Sequence, residues 1–144
     1  MNRTRFLTAA LLAAAVAIPA VPAAAGPPTC SGYAVTVQIG LGQAPTDDFD
    51  VILGTQGPDV IHAGAGNDVV CSLGGDDVVR GGPGGDDIFG GRGRDVLRGE
   101  GQSDGLYGQR GPDQLFGGVG DDLCNGGPGV DGHTACELVP VDDL

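Results

Sequence analysis

The sequence predicts an all-β fold of short strands stacked on one another, and three observations lead there. Nine consecutive nine-residue units run without insertion from Gly54 to Thr134, and the sixth place of each is an aspartate: Asp59, Asp68, Asp77, Asp86, Asp95, Asp104, Asp113, Asp122 and Asp131. A linker would not hold that phase, so the period serves a backbone that repeats in space. The eighth place is Ile61, Val70, Val79, Ile88, Leu97, Leu106, Leu115, Cys124 and His133, apolar or thiol in all but the last. Each unit therefore reads as a six-residue turn ending in a carboxylate, then a three-residue strand whose middle side chain points inward. Strands this short are not stable alone and must share one thin core with their neighbours. Finally, glycine fills place four in eight of the nine units and accounts for 29 of 144 residues. No apolar face at a helical period survives that spacing, which excludes helix, and the glycines do not recur at every third residue, which excludes a collagen-like rod.

The flanking segments are taken in chain order. Residues 1–25 carry Arg3 and Arg5, an apolar run from Phe6 to Ile18 and then Ala23-Ala24-Ala25, the pattern of a secretory signal peptide cleaved before Gly26. The run is short for a membrane span and lacks a stop-transfer flank, so no membrane insertion is expected. Residues 26–53 form an N-terminal cap. Within it Tyr33, Val35, Val37 and Ile39 alternate with Ala34, Thr36 and Gln38 as in a half-buried strand. Pro45 to Leu53 then places Asp50 and Ile52 at the sixth and eighth places of a degenerate unit without the glycines. Residues 54–134 are the repeat array, and residues 135–144 are a C-terminal cap or tail containing Cys136. All four cysteines follow the signal segment, in a compartment that permits oxidation. Of the three possible pairings, Cys30 with Cys71 and Cys124 with Cys136 is favoured, because it sets one staple at each end of the array.

Units such as GGRGRDVLR from Gly90 and GGPGVDGHT from Gly126 resemble the GGxGxDxUx nonapeptide of the RTX, or haemolysin-type, calcium-binding repeat family. The resemblance covers residues 54–134. It implies a parallel β-roll, a solenoid in which successive units alternate between two facing sheets with Ca2+ in the turns. The residue chemistry agrees. Calcium takes six to eight hard oxygen ligands and accepts backbone carbonyls as readily as carboxylates. Glycine reaches positive φ without a steric penalty, so a glycine-rich turn can aim carbonyls inward, and the place-six aspartates then add charge. Those nine aspartates are the expected metal ligands. With the loops of units n and n+2 stacked, odd loops offer four gaps and even loops three, an upper bound of about seven ions. Unit six is the weakest site, since Glu100 and Gln102 stand where glycines belong. Without cations the carboxylate columns repel one another, so folding is expected to be coupled to calcium, with an affinity on the order of 10⁻⁴–10⁻³ M.

The chain carries seven basic and nineteen acidic side chains, a net charge of −12. That balance points to cations as partners and away from nucleic acid. Arg80, Arg92, Arg94, Arg98 and Arg110 all belong to units three, five and seven, so they are expected on one side of the roll, with Arg80 and Arg98 as stacked neighbours and Phe89 beside Tyr107 on the other side. Their expected role is to balance the acidic turns and cover glycine-rich backbone. A sharper alternative is a surface for an anionic polysaccharide. His62 and His133 lack the spacing of a zinc site. No HExxH, GxSxG or phosphate-loop pattern occurs, and residues 26–53 are too few for a catalytic domain, so no enzymatic activity is expected. The sequence therefore reads as a secreted, extracellular, calcium-binding repeat protein. The alternatives are a calcium-dependent polysaccharide or cell-surface binding module, or an accessory fragment of a secreted enzyme or toxin system.

Overall fold

The structure, a computed structural model, describes residues 29–138. The signal peptide expected at 1–25 and the last six residues of the tail lie outside the described residues. Among the described residues fourteen strands follow one another, with a single 3-10 turn at Ile39–Leu41. They are β1 (Thr29–Cys30), β2 (Tyr33–Ala34), β3 (Val37–Gln38), β4 (Val51–Leu53), β5 (Val60–His62), β6 (Val69–Cys71), β7 (Val78–Pro83), β8 (Asp87–Arg92), β9 (Val96–Gly101), β10 (Gly105–Arg110), β11 (Gln114–Val119), β12 (Leu123–Asn125), β13 (Gly132–Thr134) and β14 (Glu137–Leu138).

Strands of the odd units build one sheet of five, in the order β13-β11-β9-β7-β5, and the four strands of the even units, extended by β14 at one end and by β4 and β3 at the other, build a sheet of seven, β14-β12-β10-β8-β6-β4-β3. Every pair within these two sheets is parallel. Ile61 lies opposite Val79, Val79 opposite Leu97, Leu97 opposite Leu115 and Leu115 opposite His133, which is the unit n to n+2 register. The result is a parallel β-roll of about five turns. The degenerate unit joins it in phase, with Ile52 opposite Val70.

The core is one side chain deep on each side. Ile52, Ile61, Val70, Val79, Ile88, Leu97, Leu106, Leu115 and Cys124 are all buried in a single cluster with Val37 and Ala63. Each such aliphatic contributes about 1.5–3 kcal/mol by leaving water. The row ends at His133, which is exposed.

Two expectations are corrected. The five central strands, β7 to β11, have six residues each rather than three. After a break at the place-one glycine they resume pairing, as in Gly82 opposite Glu100 and Pro83 opposite Gly101. Because successive turns are superposable, the backbone of places two and three meets an equivalent partner on the next rung and keeps its hydrogen bonds. The other correction concerns Tyr33 to Ile39, which is not one strand. Tyr33–Ala34 pairs antiparallel with Thr29–Cys30, Val37–Gln38 joins the edge of the seven-stranded sheet, and Ile39 enters the 3-10 turn. Thr36 forces this division: its N–H donates to the Val51 carbonyl and its hydroxyl accepts from the Val51 N–H, both at 2.9 Å, which fixes the chain against β4.

The β1–β2 hairpin lies on the outer face of the seven-stranded sheet. There Cys30, Val51 and Val69 form a second small core, against which Val35, Cys71 and Phe89 pack. Cys30 is disulfide-bonded to Cys71 and Cys124 to Cys136, one bridge towards each end. Among the described residues no helix is long and apolar enough to cross a membrane.

Candidate metal centre

Each turn is shaped by what its first, second, fourth and sixth places do. The place-one glycine lies against the carboxylate of its own unit: a methyl group at Gly99 or Gly81 would collide with Oδ2 of Asp104 or Asp86. Places two and four take positive φ, as at Gly82 (115°), Gly84 (150°), Gly91 (106°) and Gly93 (139°). Methyl groups at Gly84, Gly93 and Gly111 would strike the carbonyl oxygens of Gly66, Gly75 and Gly93. Carbonyls of one loop therefore point into the gap that the next loop of the same edge borders. Unit six keeps this turn, since Glu100 (φ 83°) and Gln102 (φ 71°) adopt the left-handed conformation in place of glycine. Leu73 (79°) and Gln109 (72°) do the same at place two of units three and seven.

The aspartates form two ladders. Oδ1 of each accepts the backbone N–H of the aspartate 18 residues earlier, from Asp50 N–H to Asp68 at 2.8 Å through to Asp113 N–H to Asp131 at 2.9 Å. The sequence reading missed this second, structural use of the place-six residue, although the fixed 18-residue return was its signal. The other oxygen is left over. Oδ2 of Asp68, Asp77, Asp86, Asp95, Asp104, Asp113 and Asp122 is buried without any hydrogen-bond partner. These seven residues are 0–3% exposed. A buried acceptor without a donor costs about 1–3 kcal/mol, and more when it is charged.

The proton equilibria register the same cost. Burial raises the carboxyls of Asp86 and Asp95 to about 6 and that of Asp104 to about 7. The backbone N–H of the preceding rung opposes this, and neighbouring carboxylates, Asp68 and Asp87 in the case of Asp86, add to it. Asp68, Asp77 and Asp113 are raised too, again chiefly by burial.

Two acidic rungs differ. At Asp50 the Oδ2 oxygen accepts the Thr46 N–H (2.7 Å) and hydroxyl (2.9 Å), while Oδ1 accepts the Thr36 hydroxyl (3.0 Å). At Asp59 the Oδ2 oxygen accepts the Thr55 N–H (2.6 Å) and hydroxyl (3.1 Å). At the other end, Asp131 is only half-buried.

A hard cation fits the seven orphaned oxygens. Among the described residues no three His, Cys, Asp or Glu side chains converge on one point. A bound ion would therefore draw largely on backbone carbonyls, which calcium accepts and zinc does not. Both histidines are exposed.

The arginines do not share one side. Arg80 and Arg98 are opposite one another in the five-stranded sheet, as expected, but Arg92 and Arg110 are paired in the seven-stranded sheet. The cause is the length of β8 and β10, which carry the first three places of the next unit with them. Arg80 meets Glu100 at 3.7 Å and the Arg98 guanidinium lies 4.4 Å above the Phe116 ring, so each has its own compensation. Both Arg80 and Glu100 are exposed, which holds that ion pair to roughly 0–1 kcal/mol. Phe89 stacks on Tyr107 with ring centres 4.8 Å apart.

No curated protein and no solved structure matches the chain. The family of the RTX calcium-binding nonapeptide repeat (4 copies) matches residues 46–79, 80–115 and 104–132. Those segments span more than half of the sequence and coincide with the roll and its aspartate ladders, so the chain belongs to the RTX calcium-binding nonapeptide repeat family.

Proposed function

We propose that this calcium-binding repeat protein is secreted, has no catalytic activity and completes its fold when it meets extracellular calcium. The observation that carries this reading is the set of seven buried carboxylate oxygens with no donor. Bound calcium supplies positive charge and accepts oxygen ligands in the gaps between stacked loops. The chain's own part is to hold Asp68 through Asp122 in register by their Oδ1 bonds, leaving each Oδ2 free to face a cation, and to aim the carbonyls of places two and four into the same gaps. Two disulfides fit an oxidising compartment. Circular dichroism of the chain from Gly26 onward during calcium titration tests the reading. A coil-to-strand transition at millimolar calcium, reversed by chelator, is expected, and a spectrum unchanged by either reagent overturns it.

One observation favours a second role, as a binder of acidic polysaccharide. Arg92 and Arg110 sit on neighbouring strands, and among the described residues no carboxylate lies within ion-pair distance of either. They line a groove of about 360 Å³ with Leu73, Gly91, Gln109 and Pro128. It shares Gln109 and Pro128 with a groove of about 370 Å³ beside the Phe89–Tyr107 stack. Paired guanidiniums suit uronate carboxylates, and the aromatic surface suits a sugar face. Electrophoresis of the calcium-loaded protein through a gel containing a polyuronate should show retardation that R92S/R110S abolishes. Equal mobility of the two proteins disposes of this role.

A further inference from the structure

The two ladders do not begin as they continue. In both opening turns the second place is a threonine: Thr46 in the degenerate unit and Thr55 in unit one. Later second places are occupied by residues at positive φ, such as Gly64 (113°), Leu73 (79°) and Gly82 (115°), and Asp68 onward has no donor at Oδ2. Thr46 and Thr55 are not in that conformation. Each instead turns both its backbone N–H and its hydroxyl onto the carboxylate four residues on. Those donors supply at Asp50 and Asp59 what Oδ2 lacks on every following rung up to Asp122.

The same end is independently secured. Cys30 is bonded to Cys71, and the small outer core of Cys30, Val51 and Val69 covers β4 and β6. Thr36 links the cap to Asp50 and Val51. Hydrogen bonds, burial and a covalent bridge thus converge on residues 29–71, with no buried carboxylate oxygen short of a donor before Asp68.

The geometry points to a division of the roll into a calcium-independent template and a calcium-dependent extension: Thr46 and Thr55 take the place of the cation at Asp50 and Asp59, and the rungs from Asp68 onward add to that preformed edge when calcium arrives. The inference rests on the calcium reading above and narrows its ligand set, since Asp59 is then satisfied by protein alone. Its physical basis is that parallel strands of three residues are unstable unless a neighbouring strand is already in place. An ordered first turn removes the nucleation step from calcium-driven assembly.

Amide hydrogen exchange on the disulfide-bonded chain, followed segment by segment in excess chelator and in calcium, tests it. In chelator, slow exchange is expected ahead of Asp68 and fast exchange from Asp68 onward; calcium should slow the array as well. T46V/T55V keeps side-chain shape and removes both hydroxyls. It should lose the protection in chelator yet recover the slow pattern in calcium, and T46S/T55S should behave as the parent. Uniformly fast exchange of the parent in chelator overturns the template while leaving calcium binding intact. Exchange that does not respond to calcium anywhere overturns the calcium reading itself. Should T46V/T55V fail to order even in calcium, the parent's pattern in chelator alone decides.

Discussion

Gln102 holds a conformation that an L-residue adopts at a cost of about 1–2 kcal/mol, because the turn of unit six is dictated by the rungs on either side of it. Q102G removes that strain and adds about 0.4–1 kcal/mol of unfolded-chain entropy, so a net stabilisation of roughly 0.5–1 kcal/mol is expected in denaturant titrations with calcium present. The opposite change, G84A, places a methyl group at φ 150° against the Gly66 carbonyl and should destabilise by about 1–3 kcal/mol. The aspartates give a prediction in pH. Asp86 and Asp95 at about 6 and Asp104 at about 7 hold more protons in the folded chain than in the unfolded one, where the value is 3.8. Metal-free stability therefore falls as pH rises from about 4 to about 7, and the penalty is fully present above that window. Strand signal measured in chelator should be stronger at pH 4.5 than at pH 8; a signal that grows with pH would contradict the burial of these groups. Much of this scale was legible in advance. The place-six carboxylates and place-eight apolar residues landed where the period put them, whereas the split between a bonded Oδ1 and an orphaned Oδ2 depends on contacts 18 residues apart that composition does not reveal.

A strand of this protein is stable only as a member of a row. Leu97 is fully buried between Val79 and Leu115 on neighbouring strands of a core one side chain deep, which leaves little material to collapse into a void. L97A is expected to cost about 2–5 kcal/mol in calcium, measured by chemical denaturation. The staples act on the ends. Linking Cys30 to Cys71, a separation of 41 residues, restricts the unfolded chain by roughly 4 kcal/mol in the loop-entropy description, and C30S/C71S should lose a comparable amount. The end-to-end argument from spacing found both bridges. It could not find where the hairpin goes, since β1–β2 packs on the outside of the sheet through Val51 and Val69, residues whose place-seven positions face outward elsewhere in the array. Six-residue strands were equally hidden, because nothing local in Gly-Gly-Pro or Gly-Glu-Gly favours extended pairing. Those residues pair because identical backbone lies on the adjacent rung.

Across the whole molecule the balance is between a thin hydrophobic row and two columns of buried acid, and under the proposed function cations decide the sum. Removal of calcium by chelator should leave the array without the charge that its turns require, read as loss of strand signal together with a lower melting temperature. The sequence by itself determined the all-β class, the buried row and the acidic columns, since a period repeated without insertion translates directly into stacking, and its resemblance to the RTX repeats supplied the two-sheet register of 18 residues. Only the tertiary structure decided which carboxylate oxygens lack donors, that Thr46 and Thr55 satisfy the first two rungs, and that Arg92 and Arg110 share a sheet with the Phe89–Tyr107 stack. These features arise where the repeat is broken or where two strands lengthen past their unit, and there the outcome is set by neighbours in space rather than by position in the period.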